Sequence, residues 1–196
     1  SDDIADWFLK KEIKIKGDWA EERNFDPAGW AFQFNNAHYP DVDDTALVGM
    51  FLDRYNKQKN RDDVKQCIAR TKKWIIGMQS KNGGWGAFDI NNTRNYLNYI
   101  PFADHGALLD PPTSDVSARC LSFLLQLGDT NKYEYINKAV KYLLNEQEKD
   151  GSWYGRWGTN YIYGTWSVLS ALNLINFKNK KKIFSRAVYY LKNMQQ

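Results

Sequence analysis

Two segments of this 196-residue sequence repeat each other around a fixed spacing of Gln, Gly and Trp. Trp74-Ile75 precedes Gln79, Gly83 and Trp85, and Tyr142-Leu143 precedes Gln147, Gly151 and Trp153 at the same internal distances. A third copy opens at Arg186-Ala187 and Tyr190-Leu191 and reaches Gln195, with no glycine or tryptophan after it. Each copy reads as a helix with Gln in its last turn, then a Gly-containing turn that aims a Trp back at the structure. Such a turn ties one helical hairpin to the next, so the chain must build a stacked array. Trp85 and Trp153 are assigned to packing in those turns.

Between the turns the apolar residues keep helical spacing. They do so in Ile4 to Leu9, Ala46 to Phe51, Val64 to Met78, Val116 to Leu127, Tyr135 to Leu144, Val168 to Ile175 and Ile183 to Met194. No strand pair is predicted. Gly17 to Pro40 and Gly83 to Pro112 are long, irregular and rich in Gly, Pro, Asn and aromatics, which marks them as functional loops. The expected fold is all-α, an α/α toroid of helical hairpin repeats of the α6–α6 barrel type, here incomplete. Residues 1–196 are read as a single domain.

The net charge of +4 is modest and its cations are dispersed, apart from Lys178-Asn179-Lys180-Lys181-Lys182, read as a solvated helix entry. Nucleic acid is therefore not expected as a partner. No apolar stretch approaches the ~18 residues that span a bilayer, and no signal peptide is seen, so the piece is expected to be soluble or peripheral. Cys67 and Cys120 are too few for a disulfide framework and fit a reducing compartment.

His38-Tyr39-Pro40-Asp41-Val42-Asp43-Asp44-Thr45-Ala46 places three carboxylates within four positions at a helix opening. Crowded carboxylates repel, so burying them favours one neutral carboxyl, which can act as a general acid. A plain Asp-rich turn capping the helix at Asp43 or Asp44 is the other reading. Trp30, Phe32, Phe34 and Tyr39 precede the cluster in a chain that is 15% aromatic. Ring faces stabilise a cation in a dry pocket without a lone pair to quench it, which suits carbocation chemistry.

Together these residues resemble the squalene–hopene cyclase family of class II triterpene cyclases. The resemblance rests on Tyr39 to Ala46, the two Gln-x-x-x-Gly-x-Trp repeats, Asp110-Pro111-Pro112 with Asp115-Val116, and Gly155-Arg156-Trp157 with Asn160 to Thr165. It runs over the whole chain, and the combination in this order points to the bacterial triterpene cyclases. It implies cyclisation without cofactor or metal: a terminal alkene of squalene is protonated, the polyene closes ring by ring as a carbocation, and proton loss or water capture ends the cascade.

By the same resemblance Asp43 is the proton donor and Asp41 and Asp44 are its acidic neighbours. Asp115 and Arg119, one helical turn apart, are expected to supply the hydrogen-bonded partner that raises the donor's acidity. Arg119 departs from the His of the well-known hopene-forming enzyme, and Arg cannot shuttle a proton. Tyr163 is expected near the acid, holding the water that re-protonates it. Phe32 and Trp157 are implied as cavity walls, with Trp30, Phe88 and Phe102 close by. Phe88 stands in place of a Tyr, and His105 in place of a hydrocarbon ring.

Members of the family are far longer, with two α-barrel domains, so the chain is expected to be a central, inactive fragment whose partners are the remaining barrel halves. The full-length protein is expected to be a peripheral or monotopic, membrane-associated homodimer on the cytoplasmic side. A cyclase of a longer polyprenyl hydrocarbon, of sporulenol type, keeps the same chemistry. A non-catalytic α/α-toroid interaction module is the reading from another class. The Asp-Asp-x-x-Asp motif of metal-dependent class I synthases is missing.

Overall fold

The computed structural model describes residues 1–16, 25–33, 37–94, 96, 99 and 109–195. They form two compact units, Ser1–Gln79 and Ser80–Gln196. Both are built from helices, in agreement with the all-α expectation.

The first unit holds α1 (Asp2–Lys11), α2 (Val42–Lys59) and α3 (Asp62–Gly77), each in contact with the other two. Ala5, Trp30, Leu52, Val64 and Cys67 form its core, with Phe8, Phe51 and Tyr55 packed against them. The apolar pattern predicts only the first part of α2, because its last two turns are polar. They are supported instead by an ion pair between Lys57 and Asp53 one turn apart, at 2.8 Å. Asn60, in the left-handed region at φ 52°, ends the helix by returning its amide to the Asn56 carbonyl.

The same unit also contains a strand pair that the sequence does not announce. Trp30–Ala31 (β1) and Pro40–Asp41 (β2) pair antiparallel, Trp30 opposite Asp41 and Ala31 opposite Pro40. Two residues are too few to show a period of two, so this ladder is invisible to patterning.

The second unit holds α4 (Ser114–Gln126), α5 (Glu134–Asn145), α6 (Tyr161–Asn173) and α7 (Lys180–Met194). α4 packs on α5 and α6, and α6 on α7. The repeat turns work as the spacing predicts. Gly83 sits at φ 97°, and a Cβ there would lie 2.3 Å from the Lys138 carbonyl oxygen of α5. At Gly151, at φ 98°, a Cβ would lie 2.7 Å from the Arg186 carbonyl of α7. Only glycine permits this approach of turn to helix. Gln147 completes the second tie: its Nε2 donates to the carbonyls of Gly151 and Ile183, and its Oε1 accepts from Arg186. Trp85 and Trp153 are fully buried, and Trp153 Nε1 donates to the Leu143 carbonyl at 2.6 Å. α6 begins seven residues before its apolar pattern does, because Tyr161 and Ile162 in its first turn are exposed.

Candidate active site

The acidic segment owes its geometry to the ladder and to the helix it opens. Asp41, not Asp43 or Asp44, is the N-cap of α2: its extended backbone (φ −90°, ψ 131°) lets Oδ1 accept the Asp44 amide at 2.8 Å. Asp43 and Asp44 therefore occupy the first turn, half-buried, where the helix dipole favours negative charge. The sequence leaves Asp43 and Asp44 as the capping residues because all three aspartates are competent caps. The ladder settles the matter by holding Asp41 extended.

Asp41 is 4% exposed. Burial pushes its carboxyl up from 3.8 to about 7, assisted by the charges of Asp44 and Asp43 and opposed by the hydrogen bond from the Asp44 amide. A proton is thus retained on this cluster into the neutral range.

Beside the cluster lies an apolar cavity of about 350 Å³, lined by Trp7, Phe8, Trp30, Phe32 and Leu47 and bordered by Asp44. Phe32 is exposed, as a wall facing an open space would be. Trp30 is mostly core: it packs edge-on against Phe8 at 6.1 Å and its Nε1 donates to the Phe8 carbonyl at 2.8 Å. Phe34, Phe102 and His105 lie outside the described residues.

The second unit carries Phe88, Asp115, Arg119, Trp157 and Tyr163. Asp115 is 1% exposed, and its Oδ2 accepts the main-chain amides of Arg156 at 2.8 Å and Trp157 at 3.3 Å. Its Oδ1 is buried with no hydrogen-bond partner among the described residues. Asp115 and Arg119 do not bond to each other. The 155–157 turn delivers two amides to the carboxylate, and Arg119 Nη2 instead donates to the Tyr163 hydroxyl on α6.

Sequence reasoning missed Asp110 and Arg156. Asp110 Oδ1 accepts the Ala87 amide at 3.1 Å, and its Oδ2 accepts those of Phe88 and Asp89 at 2.6 and 2.7 Å. The Arg156 guanidinium pairs with the same carboxylate and also lies 5.3 Å from the centre of the Trp157 ring. One buried aspartate thus links the backbone beneath Phe88 to the turn that carries Trp157. The signals were the Asp110-Pro111-Pro112 and Gly155-Arg156-Trp157 motifs, which do not say what either side chain binds.

Among the described residues no group of His, Cys, Asp and Glu is arranged to hold a metal ion, and no helix is long and apolar enough to cross a membrane. Cys67 and Cys120 are buried, and neither forms a disulfide.

The chain is 56% identical to a squalene–hopene cyclase of Zymomonas mobilis over 96% of its length, covering 29% of that protein. It is 58% identical to a squalene-hopene cyclase of the yeast Schizosaccharomyces japonicus over 88% of its length, covering 26% of that protein. A dammaradiene synthase of the fern Dryopteris crassirhizoma is 42% identical over 97% of the chain, which covers 29% of that protein. The chain spans under a third of these relatives, and the yeast and fern proteins widen the likeness beyond the bacterial cyclases. Residues 2–196 match the family described as the squalene-hopene cyclase C-terminal domain, and the chain belongs to that family.

Proposed function

We propose that this chain is the acid-bearing segment of a triterpene cyclase that protonates squalene, with Asp43 as the donor. The observation that carries the reading is a three-carboxylate helix start whose buried member, Asp41, has its carboxyl raised to about 7, beside an aromatic-walled cavity. Asp43 gives its proton to the CH carbon of the terminal trisubstituted alkene, whose π electrons form the new C–H bond, and a tertiary cation is left on the carbon that bears the two methyl groups. The carboxylate left behind sits in the first turn of α2, where main-chain amides and the helix dipole stabilise it. Asp41 acts as the neighbour whose protonation relieves the crowding of three charges. Phe32, on the wall of the cavity beside the acid, offers a π-face to the first cation, and the cascade ends by proton loss or water capture.

The names of the relatives favour squalene over a longer polyprenyl chain, and a cyclase over a non-catalytic module. A hydrocarbon substrate resides in the bilayer, so the complete protein is proposed to work at a membrane surface as a homodimer. The test is product analysis with squalene, using the full reading frame that carries this chain and its Asp43→Asn variant. Cyclised product from the parent and none from the variant supports the reading. Normal product from the variant overturns it.

A further inference from the structure

Three helices of this chain begin with the same hydrogen bond. The Trp30 amide donates to Thr45 Oγ1 at 3.0 Å, the Trp85 amide to Ser117 Oγ at 2.9 Å, and the Trp153 amide to Thr165 Oγ1 at 2.9 Å. Each donor is a Trp that follows a glycine at positive φ by one or two positions: Gly29 at 114°, Gly83 at 97° and Gly151 at 98°. Each acceptor is a fully buried hydroxyl near the start of its helix, α2, α4 or α6. Two of these turns are the Gln-x-x-x-Gly-x-Trp repeats. The third escapes the motif because Gly29 directly precedes Trp30.

Counting two residues back from each hydroxyl gives Asp43, Asp115 and Tyr163. These are the residues the resemblance assigns to the acid and its partners, one from each helix. On an α-helix two positions correspond to a turn of about 200° about the axis. A helix start pinned by its hydroxyl to the Trp turn must therefore present the earlier residue on the side facing away from that turn. In the second unit the outcome is visible: Asp115 receives the amides of Arg156 and Trp157, and the Tyr163 hydroxyl meets Arg119.

We propose that Thr45, Ser117 and Thr165 are positioning residues, each receiving the amide of a Trp that closely follows a positive-φ glycine and so fixing the roll at which Asp43, Asp115 and Tyr163 are presented. The repeat then does more than pack helices, since it repeats a device for aiming one functional side chain per hairpin. This inference rests on the proposed roles of those three residues. Nothing else is needed than a hydroxyl acceptor at each position, which valine matches in shape and cannot replace.

The test uses the full reading frame with Thr45→Val, Thr45→Ser, Ser117→Ala and Thr165→Val, beside Asp43→Asn. Two quantities are read: hydrogen exchange at the Trp30, Trp85 and Trp153 amides, and kcat and KM on squalene per folded molecule. Loss of one buried hydrogen bond should speed exchange at the matching amide and lower kcat about three- to tenfold, with KM unchanged. Thr45→Ser should keep both near the parent values. A merely structural hydroxyl would lower the folded fraction and leave kcat per folded molecule intact, and that result overturns the proposal. Should Thr45→Val fail to fold, Ser117→Ala, which deletes one oxygen, carries the same comparison. Inactive Asp43→Asn beside fully active hydroxyl variants sinks the positioning role alone. Active Asp43→Asn sinks the acid assignment and the positioning of Asp43 together.

Discussion

The main-chain amide of Arg156 donates to Asp115 Oδ2 at 2.8 Å, so the turn bearing Trp157 is anchored to the first turn of α4. The Arg156 side chain extends the anchor to Asp110, which holds the amides of residues 87 to 89. Asp110→Asn keeps the shape of this hub but cannot offer two carboxylate oxygens to three amides and a guanidinium. We expect a loss of about 2–3 kcal/mol in urea unfolding, the scale of a buried charge-assisted hydrogen bond. A loss below about 0.5 kcal/mol, the range of ordinary surface changes, would show that the hub is not structural.

A second expectation concerns pH. The Asp41 carboxyl is raised from 3.8 to about 7 in the folded protein. The folded state then binds the extra proton, so the stability this group contributes is complete below 3.8 and is lost as pH rises through about 7. Asp41→Asn caps α2 equally well and carries no charge to bury. At pH 8 the variant should be more stable than the parent by on the order of 2 kcal/mol, and the gap should close toward pH 4. Thermal melts at the two pH values check this, and a pH-independent gap would contradict it.

Glu12 behaves in the opposite sense. Burial by itself would raise its carboxyl, but Arg70, bidentate at 2.8 and 2.7 Å, and Lys14 at 3.2 Å hold it below 4.5. Its contribution is present above 4.5 and lost as pH falls through the lower folded value. Glu12→Gln should therefore destabilise the first unit at pH 7 and approach the parent in strong acid. Equal destabilisation at both pH values would mean that packing, not charge, sets the effect.

Arg119 and Tyr163 should act as a pair, because Arg119 Nη2 donates to the Tyr163 hydroxyl. In the full reading frame Arg119→Ala and Tyr163→Phe should each lower turnover, and the double variant should lose less than the product of the two single losses. Arg119→His should recover part of the loss if a donor at this position is what the site needs. Strict multiplicativity would show that the two residues act independently.

Helices and repeat turns were legible because burying one face of a helix imposes a period, and packing glycine against a helix leaves no room for a Cβ. That Gly83 and Gly151 touch the next helix could be read from spacing alone. Other features could not be read. Asp110 binds main-chain amides that lie 21 to 23 residues before it, and any sequence can supply those. The capping role fell to Asp41 through a two-residue ladder too short to leave a pattern. The partners of Asp115 could not be read either, because local spacing on a helix cannot foresee a turn from residues 155–157 arriving with its own donors.

The most direct measurement is the product profile of the full reading frame and its Asp43→Asn variant on squalene, with and without EDTA. The amide preserves the shape of the acid and removes its proton, so the variant should fold with the parent's circular dichroism and form no cyclised product. The parent should turn over equally with the chelator present. Cyclised product from Asp43→Asn at the parent's rate, or a parent activity that collapses with EDTA, would contradict proton-initiated cyclisation from this aspartate.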